Sequence, residues 1–537
     1  MDVMTGGEAL VRTLEAHDVD TVFGLPGAQI YGLFDALARS NRIRVVGARH
    51  EQGCGYMAFG YARASGRPGV YSVVPGPGVL NTGAALITAL GGNEPVLCLT
   101  GQVPSAFLGR GRGHLHEMPD QLATLEGLTK WADRVDHPSQ VPDKLGRAFQ
   151  EMASLRRGPA AVEMPWDQFT NRAPVALTDP LPLQAEPPVD PDRVADAARR
   201  IADAKAPMIF VGSGAIEATE EVRALAERIG APVVAFRSGR GIVSNRDPLG
   251  LTIAEAYELW AETDLVIGIG TRLEVPGWRW SWRPEGQTTI RIDIDPAELR
   301  RAPSDVDILG GAASATAELL AALERIGAAL PDRSETIAVA KAKAAREIQE
   351  IRPHAQYLKV LRDVLPDDGI VTDELCQAGF ASWYAFPVYQ PRTFLSSGYQ
   401  GTLGSGYATA LGAKVAKPDA PVVSICGDGG FMFAVQELAT AVQYGIAVTV
   451  LVFNNSAYGN VRRDQEQHFD GRVLASPLQN PDFPKLAESF GARAARVTSP
   501  EELKPALERA LASGLPTVIE IPLDLASEVS PWRFIHR

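Results

Sequence analysis

Hydrophobic residues along this chain alternate between short unbroken runs and longer stretches in which they recur every three or four positions. Two apolar runs, at 422–426 and 448–453, flank one such stretch in the C-terminal third. Its helical face is predicted to consist of Phe433, Leu438, Ala441 and Val442. Short apolar runs are typical of buried strands and the longer spacing of helices. We therefore expect a strand–helix–strand unit whose two strands end at the same edge of a parallel sheet.

The same alternation divides the chain into three segments. Residues 1–172, 190–328 and 350–537 each repeat apolar runs and amphipathic stretches, which predicts three doubly wound α/β domains. A proline-rich stretch at 173–191 is predicted to connect the first two domains. A helical span rich in Ala, Lys and Glu at 334–350 is predicted to connect the second and third.

Local patterns refine the first two segments. Periodicity predicts helices over 28–38 and 53–64, and Pro75-Gly76-Pro77-Gly78 predicts a turn after a strand at 70–74. In the middle segment, Gly212-Ser213-Gly214 is similar to a nucleotide-binding turn. A lone glycine pair after a strand is a weak signal, and a purely structural Rossmann-like domain explains it equally well.

Composition narrows the classes of function. The chain of 537 residues carries 52 Lys and Arg against 64 Asp and Glu, a net charge of −12, which argues against nucleic acid or an anionic membrane as partner. The four cysteines form no Cys-x-x-Cys pair, as expected for buried thiols in a reducing compartment. The N-terminal residues have neither a basic nor an apolar region, and no apolar run reaches membrane-spanning length. We expect a soluble, cytoplasmic protein.

The strand–helix–strand unit carries the residues of a metal–phosphate site. Gly427-Asp428-Gly429-Gly430 follows the first strand and Asn454-Asn455 ends the second. Asp428, Asn455 and the backbone carbonyl of Ala457 would offer three hard oxygen ligands, which suit Mg²⁺. The glycines would let phosphates approach the backbone at a helix N-terminus. The Gly-Asp-Gly turn alone could be an ordinary turn with an incidental Asp, but its spacing to the Asn pair favours the metal site.

This motif pair resembles the signature of the thiamine-diphosphate (ThDP) enzymes, and the resemblance extends over nearly the whole chain. The most similar pattern is that of the acetolactate synthase-like decarboxylases and carboligases. The resemblance implies a pyrimidine-binding first domain, a central Rossmann-like domain and a diphosphate-binding third domain. It also implies ThDP and Mg²⁺ as cofactors.

Two polar residues of the first domain match the family's pyrimidine side. Glu51, in Arg49-His50-Glu51, is similar to the Glu that bonds to the cofactor's pyrimidine and activates it. Taken alone, a Glu at such a junction is most often a solvent-facing carboxylate at a helix start. Asn81, after the Pro-Gly-Pro-Gly turn, is predicted to lie near the cofactor, although that turn could be purely structural.

In the third domain, the resemblance assigns cofactor contacts to a glycine-rich stretch. The Gly401 carbonyl and the Leu403 N–H would bond to the pyrimidine ring, and the Leu403 side chain would hold the cofactor bent. Gln377 matches a diphosphate-contacting Gln. The alternative for the Gly401–Gly406 stretch is a glycine-rich helix start.

Other positions bear on the reaction. Ala28 and Val461 stand where related decarboxylases carry acidic residues, which favours carboligation. Gln29 could bond to a hydroxyl or carbonyl of the substrate. His116, rather than His114, is predicted either to be an acid–base group or to orient the cofactor amine. The alternative is two loop histidines partly in solvent.

Binding of FAD is doubtful on the sequence. The stretch that seats FAD in acetolactate synthases reads Arg272-Leu273-Glu274-Val275-Pro276 here, although Asp293 and Asp295 still match a nucleotide-facing strand end. Asp464 replaces a Trp that favours 2-oxobutyrate as acceptor. These departures predict a shared scaffold with a different substrate.

The sequence therefore predicts a ThDP- and Mg²⁺-dependent lyase or carboligase. It would decarboxylate a pyruvate-like 2-oxo acid and add the remaining acyl unit to a carbonyl acceptor, giving acetolactate or an acyloin. Simple decarboxylation, or cleavage of a 2-hydroxy ketone or diketone, is the alternative. A catalytically silent ThDP-like binding protein is a remote one. The resemblance implies a homodimer or homotetramer, with ThDP between the first domain of one subunit and the third of another.

Overall fold

The computed structural model describes residues 2–328 and 331–537. Three parallel sheets of six strands each account for most of its strands, and helices cover both faces of each sheet. A separate antiparallel pair joins the N-terminal strand to residues 172–175. This arrangement confirms the prediction of three doubly wound α/β domains.

The first sheet belongs to the N-terminal third of the chain. The elements of this region are β1 (Asp2–Thr5), α1 (Gly6–Ala16), β2 (Thr21–Gly24), α2 (Tyr31–Arg39), β3 (Arg44–Gly47), α3 (Glu51–Ser65), β4 (Gly69–Val73), α4 (Pro77–Asn81), α5 (Gly83–Gly92), β5 (Val96–Gln102), α6 (Gln121–Leu128), β6 (Trp131–Arg134), α7 (Val141–Ala153), β7 (Ala160–Pro165), α8 (Trp166–Thr170) and β8 (Arg172–Val175). Its strand order is β3-β2-β4-β5-β7-β6.

Two predictions for this region need correction. The helix predicted over 28–38 begins only at Tyr31, because Gln29 has a φ of 75° and lies in a loop. The Pro-Gly-Pro-Gly turn continues into a short helix, α4, because Pro77 suits a first helical position. The helix predicted over 53–64 is confirmed as α3.

The second sheet has the strand order β11-β10-β9-β12-β13-β14. The elements of this region are α9 (Pro191–Asp203), β9 (Pro207–Val211), α10 (Thr219–Ile229), β10 (Val233–Ala235), β11 (Gly250–Leu251), α11 (Ile253–Glu258), β12 (Leu265–Ile269), β13 (Thr288–Asp293), α12 (Pro296–Arg301), β14 (Val306–Leu309) and α13 (Ala312–Ile326). The span predicted to be a helical connector is α14 (Ser334–Ile348), whose buried face packs against α11.

The third sheet carries the strand–helix–strand unit and has the order β16-β15-β17-β18-β20-β19. The elements of this region are α15 (His354–Val364), β15 (Ile370–Thr372), α16 (Gln377–Ala385), β16 (Phe394–Leu395), α17 (Ser405–Ala416), β17 (Val422–Gly427), α18 (Asp428–Phe431), α19 (Glu437–Tyr444), β18 (Val448–Asn454), α20 (Gly459–His468), α21 (Phe483–Ser489), β19 (Arg493–Arg496), α22 (Pro500–Ser513) and β20 (Thr517–Pro522).

The predicted helix of that unit is broken into two. It forms α18 and α19, separated by turns at 432–436. Leu438 and Ala441 are buried as expected, but Phe433 is 49% exposed and Val442 36% exposed. The prediction of one helical face was therefore wrong for Phe433, because the break removes the register that aligned it with α19. Val442 lies on α19 with Leu438 and Ala441, so the break does not account for its exposure.

The first and third regions pack through α3 and α17. An added Cβ at Gly60 would overlap the backbone carbonyl of Thr409, and one at Gly412 would overlap the carbonyl of Met57. The two helix backbones are therefore in direct contact, which only glycine permits at these positions. This contact fixes the start of α3, where Glu51 lies, relative to the third sheet.

Candidate active site

The two halves of the Gly-Asp-Gly and Asn-Asn motif meet at one sheet edge, as predicted. Strands β17 and β18 are parallel neighbours, with Gly427 paired in register with Phe453. Asp428 therefore follows β17 next to the point where Asn454 ends β18. The Nδ2 of Asn480 joins the two, donating to Asp428 Oδ2 at 2.6 Å and to Asn454 Oδ1 at 2.9 Å.

The proposed metal ligands present buried oxygen atoms. Burial raises the pKa of Asp428, and hydrogen bonds from Asn480 and from the backbone N–H groups of Gly429 and Ala457 oppose this. Asn455 Oδ1 is buried without a hydrogen-bond partner. A buried amide oxygen left unpaired is costly unless a further group binds it, so this atom fits a metal ligand.

Close packing explains the glycines of the turn. A Cβ at Gly427 would come within 2.8 Å of the Cys376 Cβ, one at Gly429 within 2.5 Å of the Tyr458 ring, and one at Gly430 within 2.6 Å of the Glu374 carboxyl carbon. Any larger residue would therefore push the turn into the adjoining cavity. The glycines therefore let the backbone of this turn pack closely against its neighbours beside the cavity.

A cavity of about 210 Å³ opens beside the turn. Of the predicted residues, it is lined by Gln377, Leu403, Gly427, Asp428, Gly429, Gly430, Asn455 and Ala457. Gln377 begins α16, and its Oε1 is also buried without a partner. Its lining residues all come from 354–528, so within one chain this cavity contains no residue of the first domain.

The glycine-rich stretch beside the cavity is held by hydrogen bonds to residues that do not line the cavity. Gly401 and Gly404 have φ values of 57° and 80°, which favour glycine. The N–H of Gly404 donates to the carboxylate of Glu374, and the Thr402 hydroxyl bonds to Tyr56 on α3. Hydrogen bonds at its two neighbours, Thr402 and Gly404, therefore fix Leu403 in place. The partners in these bonds, Tyr56 and Glu374, do not line the cavity.

Glu374 is fully buried, and burial raises its pKa to about 7. Its Oε2 has no hydrogen-bond partner. Because this carboxyl touches both the Gly404 N–H and the position of a Gly430 Cβ, it links the glycine-rich stretch to the Gly-Asp-Gly turn.

Glu51 begins α3, and a buried carboxylate of the third domain binds the backbone of the two residues that precede it. Glu437, at the start of α19, accepts from the N–H of Arg49 at 3.1 Å and from the N–H of His50 at 3.0 Å. The Thr440 hydroxyl donates to its other oxygen at 2.6 Å. Asn81 Nδ2 donates to Glu51 Oε2 at 3.0 Å, so two of the predicted pyrimidine-side residues touch each other.

Gln29 and the two histidines form a second cluster in the first domain. Gln29 is fully buried, and its Nε2 donates to the Leu115 carbonyl at 2.7 Å. This orients the amide so that Oε1 faces His116 Nδ1 at 3.1 Å, while Nε2 lies 3.3 Å from His114 Nδ1. Gln29 therefore uses both ends of its amide on the histidine loop.

The electrostatics of His116 connect this cluster to Glu51. Burial lowers the pKa of His116, and the carboxylate of Glu51 opposes this. His116 is thus predominantly neutral at pH 7. Because Gln29 Oε1 can only accept, it selects the tautomer with the proton on Nδ1, which leaves Nε2 as the free acceptor.

The central domain has a larger cavity, of about 660 Å³, next to the Gly212–Gly214 turn. Asp293, at its edge, accepts from the Asp295 N–H. Arginines that line it are paired with carboxylates, as Arg156 is with Glu298 and Arg237 with Glu274. That FAD does not bind here stays a prediction.

Comparison with known proteins identifies the family. Models described as the N-terminal, central and C-terminal TPP (thiamine pyrophosphate, or ThDP) domains of thiamine pyrophosphate enzymes match residues 4–124, 194–322 and 376–521. A probable acetolactate synthase large subunit of Methanocaldococcus jannaschii is 34% identical, with 97% of this chain and 92% of that protein covered. The chain belongs to the thiamine pyrophosphate enzymes. It is acetolactate synthase-like, as the sequence predicted.

Two further relatives differ in their described activity. A protein of Pseudomonas aeruginosa described as a probable 2-ketoarginine decarboxylase is 36% identical, with 95% of this chain and 92% of that protein covered. The acetolactate synthase large subunit of Corynebacterium glutamicum is 33% identical, with 98% and 88% covered. Decarboxylases and carboligases of 2-oxo acids are both among the relatives, so this enzyme is a ThDP-dependent 2-oxo acid decarboxylase or carboligase.

Sequence reasoning missed several residues that organise this enzyme's site. They are His354, Glu374, Glu437, Asn480 and Glu528. None lies within the predicted motifs, and each reaches the site from a different element. Among helices of the described residues, none has the length and apolar character to cross a membrane.

Proposed function

We propose that this enzyme decarboxylates a pyruvate-like 2-oxo acid and adds the remaining acyl unit to a carbonyl acceptor, forming acetolactate or an acyloin. The observation that carries this proposal is the lack of a free acid in the 210 Å³ cavity. Its lining residues include only two carboxylates, Asp428 and Glu528, and both are engaged by amides. Val461, which stands where related decarboxylases carry an acidic residue, also lines this cavity. Without a free carboxylic acid on this side of the site, transfer to a second carbonyl competes better with release as an aldehyde.

The residues at the sheet edge fit ThDP and Mg²⁺. Asp428 and Asn455 Oδ1, with the Ala457 carbonyl, would hold Mg²⁺, and the turn of Gly427, Gly429 and Gly430 with Gln377 would hold the diphosphate. When bound, ThDP supplies an acidic thiazolium carbon that attacks the substrate carbonyl and accepts the electrons released by decarboxylation. Gly401 and Leu403 would orient its pyrimidine ring.

Residues of the first domain would activate the cofactor and transfer protons. Glu51 would bond to the pyrimidine and favour the form of its amine that acts as a base, and Asn81 occupies Glu51 Oε2 so that Oε1 is free for this contact. His116, held by Gln29, would present Nε2 to the substrate. Both ends of the Gln29 amide are used on the histidine loop, so Gln29 would orient His116 rather than contact the substrate directly.

The sheet-edge residues of the third domain and the proton-handling residues of the first domain do not share a cavity within one chain. The cavity lining contains no residue before 354, whereas Gln29, Glu51, Asn81 and His116 lie in the first domain. We therefore propose that a second copy of the chain supplies the first-domain residues, so that the smallest active unit is a homodimer.

The experiment for the reaction is product analysis by mass spectrometry. The purified enzyme with ThDP and Mg²⁺ is given pyruvate alone, and then pyruvate with 2-oxobutyrate or an aldehyde. Acetolactate or mixed acyloins are the expected products. Acetaldehyde as the sole product would replace this proposal by simple decarboxylation.

The Pseudomonas aeruginosa relative favours a second candidate, decarboxylation of a 2-oxo acid with a guanidinium tail. In that case His116 would accept a proton at Nε2 and then donate it, in place of a carboxylic acid. Release of CO₂ from 2-ketoarginine, with no consumption of pyruvate, would support this candidate over the first.

A further inference from the structure

The amide of Asn455 is held in one orientation by a side chain outside the metal-binding motif. Glu528 Oε1 accepts from Asn455 Nδ2 at 2.9 Å. Because a carboxylate oxygen can only accept, this contact forces Asn455 Oδ1, and not its NH₂ group, to face the other way. That oxygen is the buried atom without a hydrogen-bond partner.

Glu528 is itself held in place. It follows β20, on the C-terminal segment, and its side chain is only 5% exposed. Its second oxygen, Oε2, lies 3.3 Å from Nε2 of His354, whose side chain is 1% exposed at the start of α15. The His354 ring packs edge-on against Phe453, two residues before Asn455. The chain of contacts His354–Glu528–Asn455 thus brings together three distant parts of the sequence.

We propose that Glu528 is a positioning residue for the divalent cation, acting by fixing which end of the Asn455 amide faces the site, with His354 orienting Glu528 in turn. This inference rests on the proposed function, which assigns Asn455 to Mg²⁺. The two ends of an amide have nearly the same shape, so packing alone discriminates poorly between them. A flipped Asn455 would present an NH₂ group to a cation and repel it.

Two other roles for Glu528 are less consistent with its contacts. A proton-transferring acid needs an oxygen free for the substrate, and both oxygens of Glu528 are engaged. A purely structural link between the C-terminal segment and the core would affect stability but would leave the cation affinity of the folded enzyme unchanged.

The test compares cation binding, not turnover, in two variants of different chemistry. Glu528→Met removes the acceptor at similar size. Glu528→Gln keeps an oxygen for Asn455 Nδ2 and can donate its own NH₂ to His354 Nε2. Glu508→Met, on the exposed face of α22, is the matched control. Binding of Mn²⁺ to each metal-free enzyme with saturating ThDP is followed by loss of the free-Mn²⁺ electron paramagnetic resonance signal.

We expect Glu528→Met to weaken Mn²⁺ binding by about 10- to 100-fold, the usual effect of removing a partner of a metal ligand. Glu528→Gln and the control should stay within about threefold of wild type on the same scale. Wild-type affinity in Glu528→Met would overturn the inference, and an equal loss in both Glu528 variants would show that charge rather than amide orientation matters and would also overturn it.

Thermal unfolding of the metal-free proteins guards against misfolding. If Glu528→Met does not fold, His354→Gln replaces it, and we expect a smaller loss of Mn²⁺ affinity in that folded variant; wild-type affinity there would overturn the inference. Failure of the wild type itself to bind Mn²⁺ with ThDP would overturn the proposed metal site, which distinguishes the two failures.

Discussion

Replacing Glu437 should damage both stability and activity, although this residue lies in no cofactor motif. Its carboxylate is fully buried and accepts from the Arg49 N–H, the His50 N–H and the Thr440 hydroxyl. In Glu437→Leu these donors lose a fully buried acceptor. A buried donor left unpaired costs about 1–3 kcal/mol, so three of them would cost roughly 3–9 kcal/mol before relaxation.

The conservative variant Glu437→Gln separates loss of the hydrogen-bond acceptor from loss of the negative charge. In Glu437→Gln one oxygen remains to accept from the two backbone N–H groups, so we expect a loss of about 1–3 kcal/mol. Because Glu51 directly follows His50, both variants should also lower kcat, with a larger loss in Glu437→Leu. Exposed Glu508→Leu serves as control.

The assay is thermal unfolding of wild type, Glu437→Gln, Glu437→Leu and the control, followed by single-turnover kinetics at a temperature where all are folded. The melting temperature is compared only in rank order, since a chain with three domains need not unfold in two states. If Glu437→Leu were as stable and as active as the control, the role assigned to this contact would be refuted.

Three further predictions follow from single contacts. Gly412→Ala should lower the melting temperature markedly in thermal unfolding, because its Cβ would overlap the Met57 carbonyl, whereas Ala at the open position Gly277 should have little effect. Burial raises the pKa of Glu374 from 4.5 to about 7, so its contribution to stability is full below pH 4.5 and is lost as pH rises towards 7. In chemical unfolding, the free energy of unfolding of Glu374→Gln should therefore fall less over that pH window than that of the wild type. An equal fall in both proteins would contradict the buried carboxyl. In kcat/KM–pH profiles, Gln29→Glu should move the limb that reports His116 to higher pH, because a carboxylate favours the imidazolium. Gln29→Leu should move that limb to lower pH. Shifts of both variants in the same direction would contradict the Gln29–His116 contact.

The sequence could predict those parts of the site that lie at the ends of parallel strands. The Gly-Asp-Gly turn and Asn455 are 25 or more residues apart, but a strand–helix–strand unit must bring their strand ends together, and it does. The glycines were also predictable as positions of close approach, although only the structure shows that Cys376, Tyr458 and Glu374 are what they approach.

The supporting residues could not be found in this way. Glu374, Glu437 and Glu528 belong to no recognisable motif, and a Glu in a sequence is more often at the surface. Their burial depends on the packing of elements more than 50 residues apart. The sequence also missed the break between α18 and α19, because the apolar spacing across 433–442 is helical even though the chain turns between them.

We propose that Glu51 of one copy and Asp428 of another serve a single ThDP site. Complementation between two inactive variants tests it most directly. Glu51→Gln and Asp428→Ala are co-expressed with different affinity tags, and the mixed dimer is purified through both tags. If sites form between subunits, each mixed dimer has one intact site and one doubly altered site, so about half of the wild-type product formation should return. If both residues acted within one chain, every site would carry one defect, and mixed dimers as inactive as the parent variants would contradict the claim.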